Sequence, residues 1–271
     1  MSLTCRHRPR RAGMGPPKAR DDVRGVQLNG LLPSRLQHGL RAALVAGLAS
    51  LLAACASGPP LPDWHGHAQA AMQASTKAYL LADTRVETLE LERARREIAR
   101  TGRLDLLARA ELMHCAARVA SLVFEPCAGF EALRADAAAP ERAYADYLAN
   151  KLATQDVALL PAAQRANALS VAGADNAAST ANLAALKAIE EPLSRLVAAG
   201  VLFQASRADP AVIALATETA SAQGWRRPLL AWLSVQLQLA ERGGASAEAG
   251  RLRRRIGVVQ GAAPPARGVE R

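Results

Sequence analysis

Apolar residues recur every three or four positions along much of the chain, which is the spacing of one face of an α-helix. Two stripes illustrate the pattern: Leu104, Ala108, Leu112, Cys115, Val119 and Leu122 in the first, and Leu230, Leu233, Leu237 and Ala240 in the second. No convincing run alternates apolar and polar residues, and Ala, Leu, Arg and Glu dominate. The pattern predicts an all-α body in which each stripe is a buried helix face.

Prolines and glycines divide this pattern into segments. Prolines at positions 140, 161, 192, 210 and 228 fall where a helical pattern begins, and Gly224 and Gly243-Gly244 fall where one ends. Asp209, directly before Pro210, is a capping residue for the clearest of these starts. Segments of about 12 to 20 residues with short turns predict antiparallel helical hairpins, packed as a bundle or a short solenoid.

The segment from Leu237 to Ile256 resembles a degenerate tetratricopeptide unit. Gly244 and Ala249 stand at about the separation that this family has, whereas Gln236 and Arg253 occupy places where the family prefers apolar residues. The resemblance implies an array of helical hairpins. An irregular helical bundle is the alternative.

Residues 42–54 form an uncharged apolar segment, preceded by Arg35 and Arg41. At roughly 1.5 Å per residue, such a helix spans about 20 Å, which is short of the roughly 30 Å hydrocarbon core of a bilayer. A positive flank, a short apolar segment and small residues at its end are typical of a secretory signal. The segment therefore predicts export.

The last four residues of this region, Leu52-Ala53-Ala54-Cys55, resemble the lipobox of bacterial lipoproteins. The resemblance implies a diacylglycerol on the Cys55 thiol, cleavage directly before Cys55 and acylation of the new amine. Several acyl chains would make a stable membrane anchor. Ala56, in place of Asp, implies transfer to the outer membrane with the body facing the periplasm.

These signals divide the chain into four parts. Residues 1–54 are interpreted as a signal peptide with an extension that precedes the true start. Residues 55–62, rich in proline, form a tether. Residues 63–260 form the all-helical periplasmic domain, whose first helix Asp63 is expected to cap, and residues 261–271 form a disordered tail.

The formal charge of +10 is unevenly distributed. Nine of the Lys and Arg residues and only two Asp lie in residues 1–54, so the predicted mature part is nearly balanced. Three Trp, three Tyr and three Phe offer little surface for base stacking. Charge and aromatic content therefore exclude a nucleic-acid partner.

Cys115 and Cys127 remain as a pair once Cys55 carries lipid. An even pair in an oxidising compartment predicts a disulfide, and the Cα atoms of a bridged pair lie within about 7 Å. A helix that continued to residue 125 would hold the two cysteines too far apart. The helix must therefore end near Leu122, and residues 123–126 must reverse the chain.

Catalytic and metal-binding motifs are not recognisable. His65 and His67 are two residues apart, so on a helix they point in nearly opposite directions and cannot chelate a metal together. His114 is interpreted as a surface residue beside a core cysteine. The pair Glu190-Glu191 precedes Pro192, where a carboxylate is expected to cap a helix. No metal, cofactor or catalytic residue is predicted.

Arg251, Arg253, Arg254 and Arg255 form the one basic patch of the predicted body. Such a patch is expected to contact anionic lipid or an acidic partner.

The leading hypothesis is a non-enzymatic helical lipoprotein, held in the outer membrane by its N-terminal lipid, that acts as an adaptor or assembly factor for a protein partner in the envelope. Packed helical hairpins present a grooved surface to a partner without catalytic groups. Two alternatives remain: a periplasmic enzyme acting on cell wall or lipid, and a purely structural envelope lipoprotein.

Overall fold

The computed structural model describes residues 62–172 and 179–261. Within these two stretches the chain is helical and contains no strand, so the predicted all-α class is confirmed. The α-helices are α1 (Asp63–Leu80), α2 (Thr84–Ala99), α3 (Leu104–Ala120), α4 (Ala128–Glu131), α5 (Ala139–Leu148), α6 (Ala162–Ala172), α7 (Ser179–Ala188), α8 (Pro192–Gln204), α9 (Pro210–Ala222), α10 (Arg226–Arg242) and α11 (Ser246–Val259). Two 3₁₀ turns, Arg134–Asp136 and Thr154–Leu159, connect helices.

Carboxylates cap several helix starts. The Asp209 side chain accepts a hydrogen bond from the Val212 amide at 2.8 Å, and Glu191 accepts from the amides of Leu193 and Ser194. These bonds satisfy amides that the first turn leaves without partners, so both predicted caps are confirmed. The expectation for Asp63 is wrong, because α1 already includes Asp63 and its capping position, Pro62, has no side-chain bond to offer.

Several helix ends share one turn geometry. At the ends of α1, α3, α9 and α10, the residue two positions after the helix takes a left-handed conformation, and the next amide bonds back to a carbonyl of the last turn. Gly224 (φ 65°) and Gly244 (φ 68°) occupy this position as the sequence predicted. Ala82 (φ 63°) and Leu122 (φ 60°) occupy it in two other turns, where a side chain makes the conformation costly.

Helix α3 lies at the centre of the structure, packing against α1, α2, α5 and α8. Ala108, Leu112 and Val119 are buried as the first stripe predicted, but Leu104 is 44% exposed. Buried residues surround much of α3 instead of forming a single face, because helices contact it from several directions. Helix α8 approaches α3 closely at Gly200. A Cβ atom added to Gly200 would lie 2.3 Å from the Val119 carbonyl oxygen. Only glycine allows this approach.

The main hydrophobic core joins α3 to helices α5 to α11, with Trp232 and Leu233 of α10 fully buried in it. The Trp232 indole N–H donates to the Ala120 carbonyl at 3.1 Å. The second predicted stripe is therefore only partly correct, since Leu233 is buried but Leu230, Leu237 and Ala240 remain half-exposed.

Helices α1 and α2 form a pair with a smaller core, to which α3 also contributes. This core consists of four alanines and three larger apolar residues, namely Ala68, Ala71, Met72, Leu91, Ala94, Ile98 and Ala110. A small apolar cluster that includes Tyr79 and Ala117, together with polar contacts, joins the pair to the rest of the structure. Arg227 of α10 donates to the Tyr79 carbonyl at 2.7 Å and stacks on the Tyr79 ring, with 4.2 Å from its Cζ to the ring centroid.

Candidate interaction groove

Helices α9, α10 and α11 follow one another through three-residue turns, and α10 packs against both of its neighbours. Helices α9 and α11 make little direct contact with each other. The three helices therefore leave a groove between α9 and α11, with part of α10 as its floor. The tetratricopeptide resemblance of this segment stays a prediction.

The groove has a volume of about 690 Å³. One face of α9, including Ile213 and Ala214, lines it along the whole length of that helix. Leu239 contributes from α10 and Leu252 from α11. Leu252 is buried and Leu239 is 37% exposed, so the surface offered to solvent is mainly apolar.

Charged side chains lie along the edges of this groove. Glu248 and Arg251 form a bidentate pair on α11, at 2.6 and 2.8 Å. The hydrogen bonds from Arg251, with the positive charge of Arg255 nearby, hold the pKa of the Glu248 carboxyl below its ordinary value. Glu218 and Arg255 also line the groove, and neither makes an ion pair within the described stretches.

The predicted basic patch is divided in the structure. Arg251 pairs with Glu248, and Arg253 pairs with Glu241 of α10 at 2.5 Å. Only Arg251 and Arg255 of the four arginines line the groove. The expected contact with anionic lipid or an acidic partner stays a prediction, but the four arginines do not form one continuous surface. Neighbouring helix positions point in different directions, and two of the arginines are paired.

The predicted disulfide is present in the structure. Cys115 and Cys127 are joined with 5.9 Å between their Cα atoms. Helix α3 ends at Ala120 and the chain turns at Leu122, close to where the spacing of the two cysteines required the helix to stop. The bond closes the turn between α3 and α4 and borders a separate cleft of about 630 Å³, lined by charged groups that include Arg134 and Asp146.

Buried carboxylates are paired with cations. Glu111 accepts two bonds from Arg95, at 2.6 and 2.8 Å, and Glu141 accepts one from Arg109 at 2.5 Å. Such pairing across helices suits a structural role. Asp105, Glu131 and Glu248, the carboxyl groups with a clearly displaced pKa in the described part, are all displaced downward by arginines.

The interpretation of His114 as a surface residue is wrong. Its side chain is 17% exposed, and Nε2 lies 3.1 Å from the Glu87 carboxylate. Arg227 reaches the other oxygen of Glu87 at 3.4 Å. These three residues join α2, α3 and α10, a juxtaposition that nothing in the local sequence indicates.

Within residues 62–172 and 179–261, no group of three or more His, Cys, Asp or Glu side chains is placed to hold a metal ion. In the same stretches, no helix is both long and apolar enough to cross a bilayer. Cys55 and the preceding Leu52, Ala53 and Ala54 lie outside the described residues.

A scan against protein-family models gave no match, and searches of curated proteins and of solved structures gave none either.

Proposed function

We propose that this protein is a lipid-anchored, non-enzymatic adaptor of the bacterial envelope. In this proposal, lipid on Cys55 holds the protein in the outer membrane, and the groove of α9 to α11 binds a helix of a periplasmic protein partner. The open apolar groove is the observation that carries the adaptor function.

The groove suits an amphipathic helix. A partner helix would place its apolar side chains on exposed Ala214 and Leu239, as in other helix-in-groove complexes. At the edges, Glu218 would favour a basic residue of the partner and Arg255 an acidic one. The Glu248–Arg251 pair is already satisfied within α11, so it would contribute less to the choice of partner.

The carboxylates support an adaptor over a hydrolase or lyase. An acid catalyst that works near neutral pH needs a raised pKa, usually from burial without a cation nearby. The buried Glu87, Glu111 and Glu141 have cationic or histidine partners, and the pKa of Glu248 in the groove is lowered.

The anchor is tested by mass spectrometry of the membrane-extracted protein, with Cys55→Ala as the matched variant. We expect an N-terminus at residue 55 that carries acyl chains, and loss of both cleavage and acylation in the variant. An intact, unmodified N-terminus in the wild-type protein would contradict the anchor. The functional protein would then carry the +10 charge of the whole chain.

The groove is tested in cells with a photoreactive amino acid at Ala214 or Leu239, and at Leu169 as a control, which is 55% exposed on α6. We expect one discrete adduct from both groove positions and none from Leu169. Arg255→Glu should reduce that adduct severalfold, since it reverses a charge at the edge. Equal labelling at all three positions, or no adduct at the groove, would contradict an adaptor that uses this surface.

A further inference from the structure

A second hollow lies between α1 and α3, at the outer side of the small core of the first helix pair. This slot has a volume of about 320 Å³. Buried Ala68 and Ala110 form its floor, and half-exposed Trp64 and Met113 form walls. The two alanines belong to the same small core, and their short side chains leave space that larger ones would fill.

Carbon atoms make up most of the slot surface, with Met72 and Ile98 completing the apolar lining. Methionine side chains adapt to flexible apolar ligands, and an aromatic wall adds a large contact area. The polar side chains of Gln69 and Gln73, both on α1 and exposed, also line the slot. The volume lies at the lower end of the range for small-molecule pockets, which suits one narrow apolar chain.

Polar groups lie at the rim of the slot. Arg109 is 60% exposed, and its bond to Glu141 uses Nε, which leaves its terminal N–H groups for another acceptor. His65, also exposed, stands on the opposite helix. An apolar slot with an arginine at its edge is complementary to an alkyl chain that ends in an anionic group.

We propose that this slot binds a single fatty acyl chain with an anionic head group. The chain lies against Trp64, Met72 and Met113, and the head group meets Arg109. The site is separate from the groove of α9 to α11, and it depends neither on a protein partner nor on the lipid of Cys55.

Bromine atoms quench nearby indoles, so 9,10-dibromostearate tests the site through Trp64. The experiment uses the full chain with Cys55→Ser, so that no attached acyl chain competes. We expect saturable quenching that Trp64→Phe removes, because the other two indoles, fully buried Trp232 and half-buried Trp225, lie outside the slot. Quenching that persists unchanged in Trp64→Phe, or that never saturates, overturns the proposal.

Two surface substitutions give a matched comparison. Met113→Asp places a charge in the slot and should weaken binding at least tenfold, whereas Leu89→Asp, on an α2 position that is 60% exposed and outside the slot, should leave it unchanged. Circular dichroism and thermal unfolding establish that both variants are folded. Equal affinity in the two variants overturns the proposal.

Two further ligands test whether the anionic group is needed and whether the acyl chain comes from a free fatty acid or from a bilayer. Dibromostearyl alcohol lacks the anionic group and should bind several-fold more weakly, a difference that Arg109→Gln should remove. Vesicles of brominated phosphatidylglycerol present the same chains in a bilayer. Quenching by the vesicles alone would assign this surface to membrane contact and overturn a single-chain ligand.

Discussion

The first two helices and the last three differ in how much apolar burial attaches them to the rest of the structure. Helices α9 to α11 share the main hydrophobic core, in which Val212, Trp232 and Leu252 are fully or almost fully buried. Helices α1 and α2 share only small apolar clusters with α3, and directional polar contacts from Arg95, Arg227 and His114 add to these.

This difference indicates which region unfolds locally first. Apolar burial is non-directional and sums over many contacts, whereas a few hydrogen bonds and ion pairs each depend on one geometry. We therefore expect α1 and α2 to open locally at a lower free energy than α9 to α11.

The largest expected effect comes from the core of the last three helices. Trp232→Ala should lower the free energy of unfolding by about 3–5 kcal/mol, since it removes a fully buried indole and leaves a cavity. Urea denaturation measures this loss. Leu239→Ala, at a position that is 37% exposed, is the control and should cost less than about 1.5 kcal/mol. Similar losses in the two variants would argue against the packing around Trp232.

Arg227 tests the attachment of the first pair. Arg227→Gln should destabilise by about 1–2 kcal/mol, because it removes a charged hydrogen bond and the contact with the Tyr79 ring. Hydrogen exchange should become faster in α1 and α2 and stay unchanged in α9 and α11. Arg226→Gln, at the exposed neighbouring position, should have no such effect. Uniformly faster exchange throughout the chain would remove the distinction between the regions.

The turns of the two regions also differ. Glycines occupy the left-handed positions after α9 and α10, whereas Ala82 occupies the one after α1. Ala82→Gly should therefore raise the free energy of unfolding by about 0.5–1 kcal/mol. Ala70→Gly, within α1, should lower it by a similar amount. Thermal unfolding measures both, and a destabilised Ala82→Gly would mean that the turn is not under strain.

The smallest expected effect is a titration at the groove. Because Arg251 lowers the pKa of Glu248, the pair stabilises the folded state above the unfolded pKa of about 4.5, and this contribution is lost as the pH falls through the folded value. Carbon-detected NMR should find the Glu248 midpoint below 4.5, and Arg251→Gln should move it upward. An unchanged midpoint would mean that the two side chains do not pair in solution.

Local signals predicted much of the architecture. Prolines, capping carboxylates and glycines located helix boundaries, because each acts within a few residues of its own position. The disulfide also followed from local geometry, since only an early end to α3 brings Cys115 and Cys127 together.

Long-range contacts were not predictable in this way. Gln164 and Asn167 are buried around the Tyr147 hydroxyl, at 2.7 and 2.8 Å, although nothing beside them in the sequence distinguishes them from exposed polar residues. A grooved surface was expected in general terms, but its place between α9 and α11 depends on how three helices pack. The run of arginines suggested one patch because sequence proximity does not reveal which acidic residue each side chain reaches.

The hydrogen bond from Arg227 to Tyr79 joins residues that are 148 positions apart. During synthesis, Tyr79 is therefore made well before its partner. Synthesis proceeds from the N-terminus at about 5–20 residues per second, so the Tyr79 carbonyl exists for roughly 7–30 s before its arginine is made. During that interval the first helical hairpin has its small core and its contacts with α3, such as the Arg95–Glu111 pair, but not the contacts from α10. A nascent chain halted before residue 227 should therefore expose α1 and α2 to proteases that the finished protein resists.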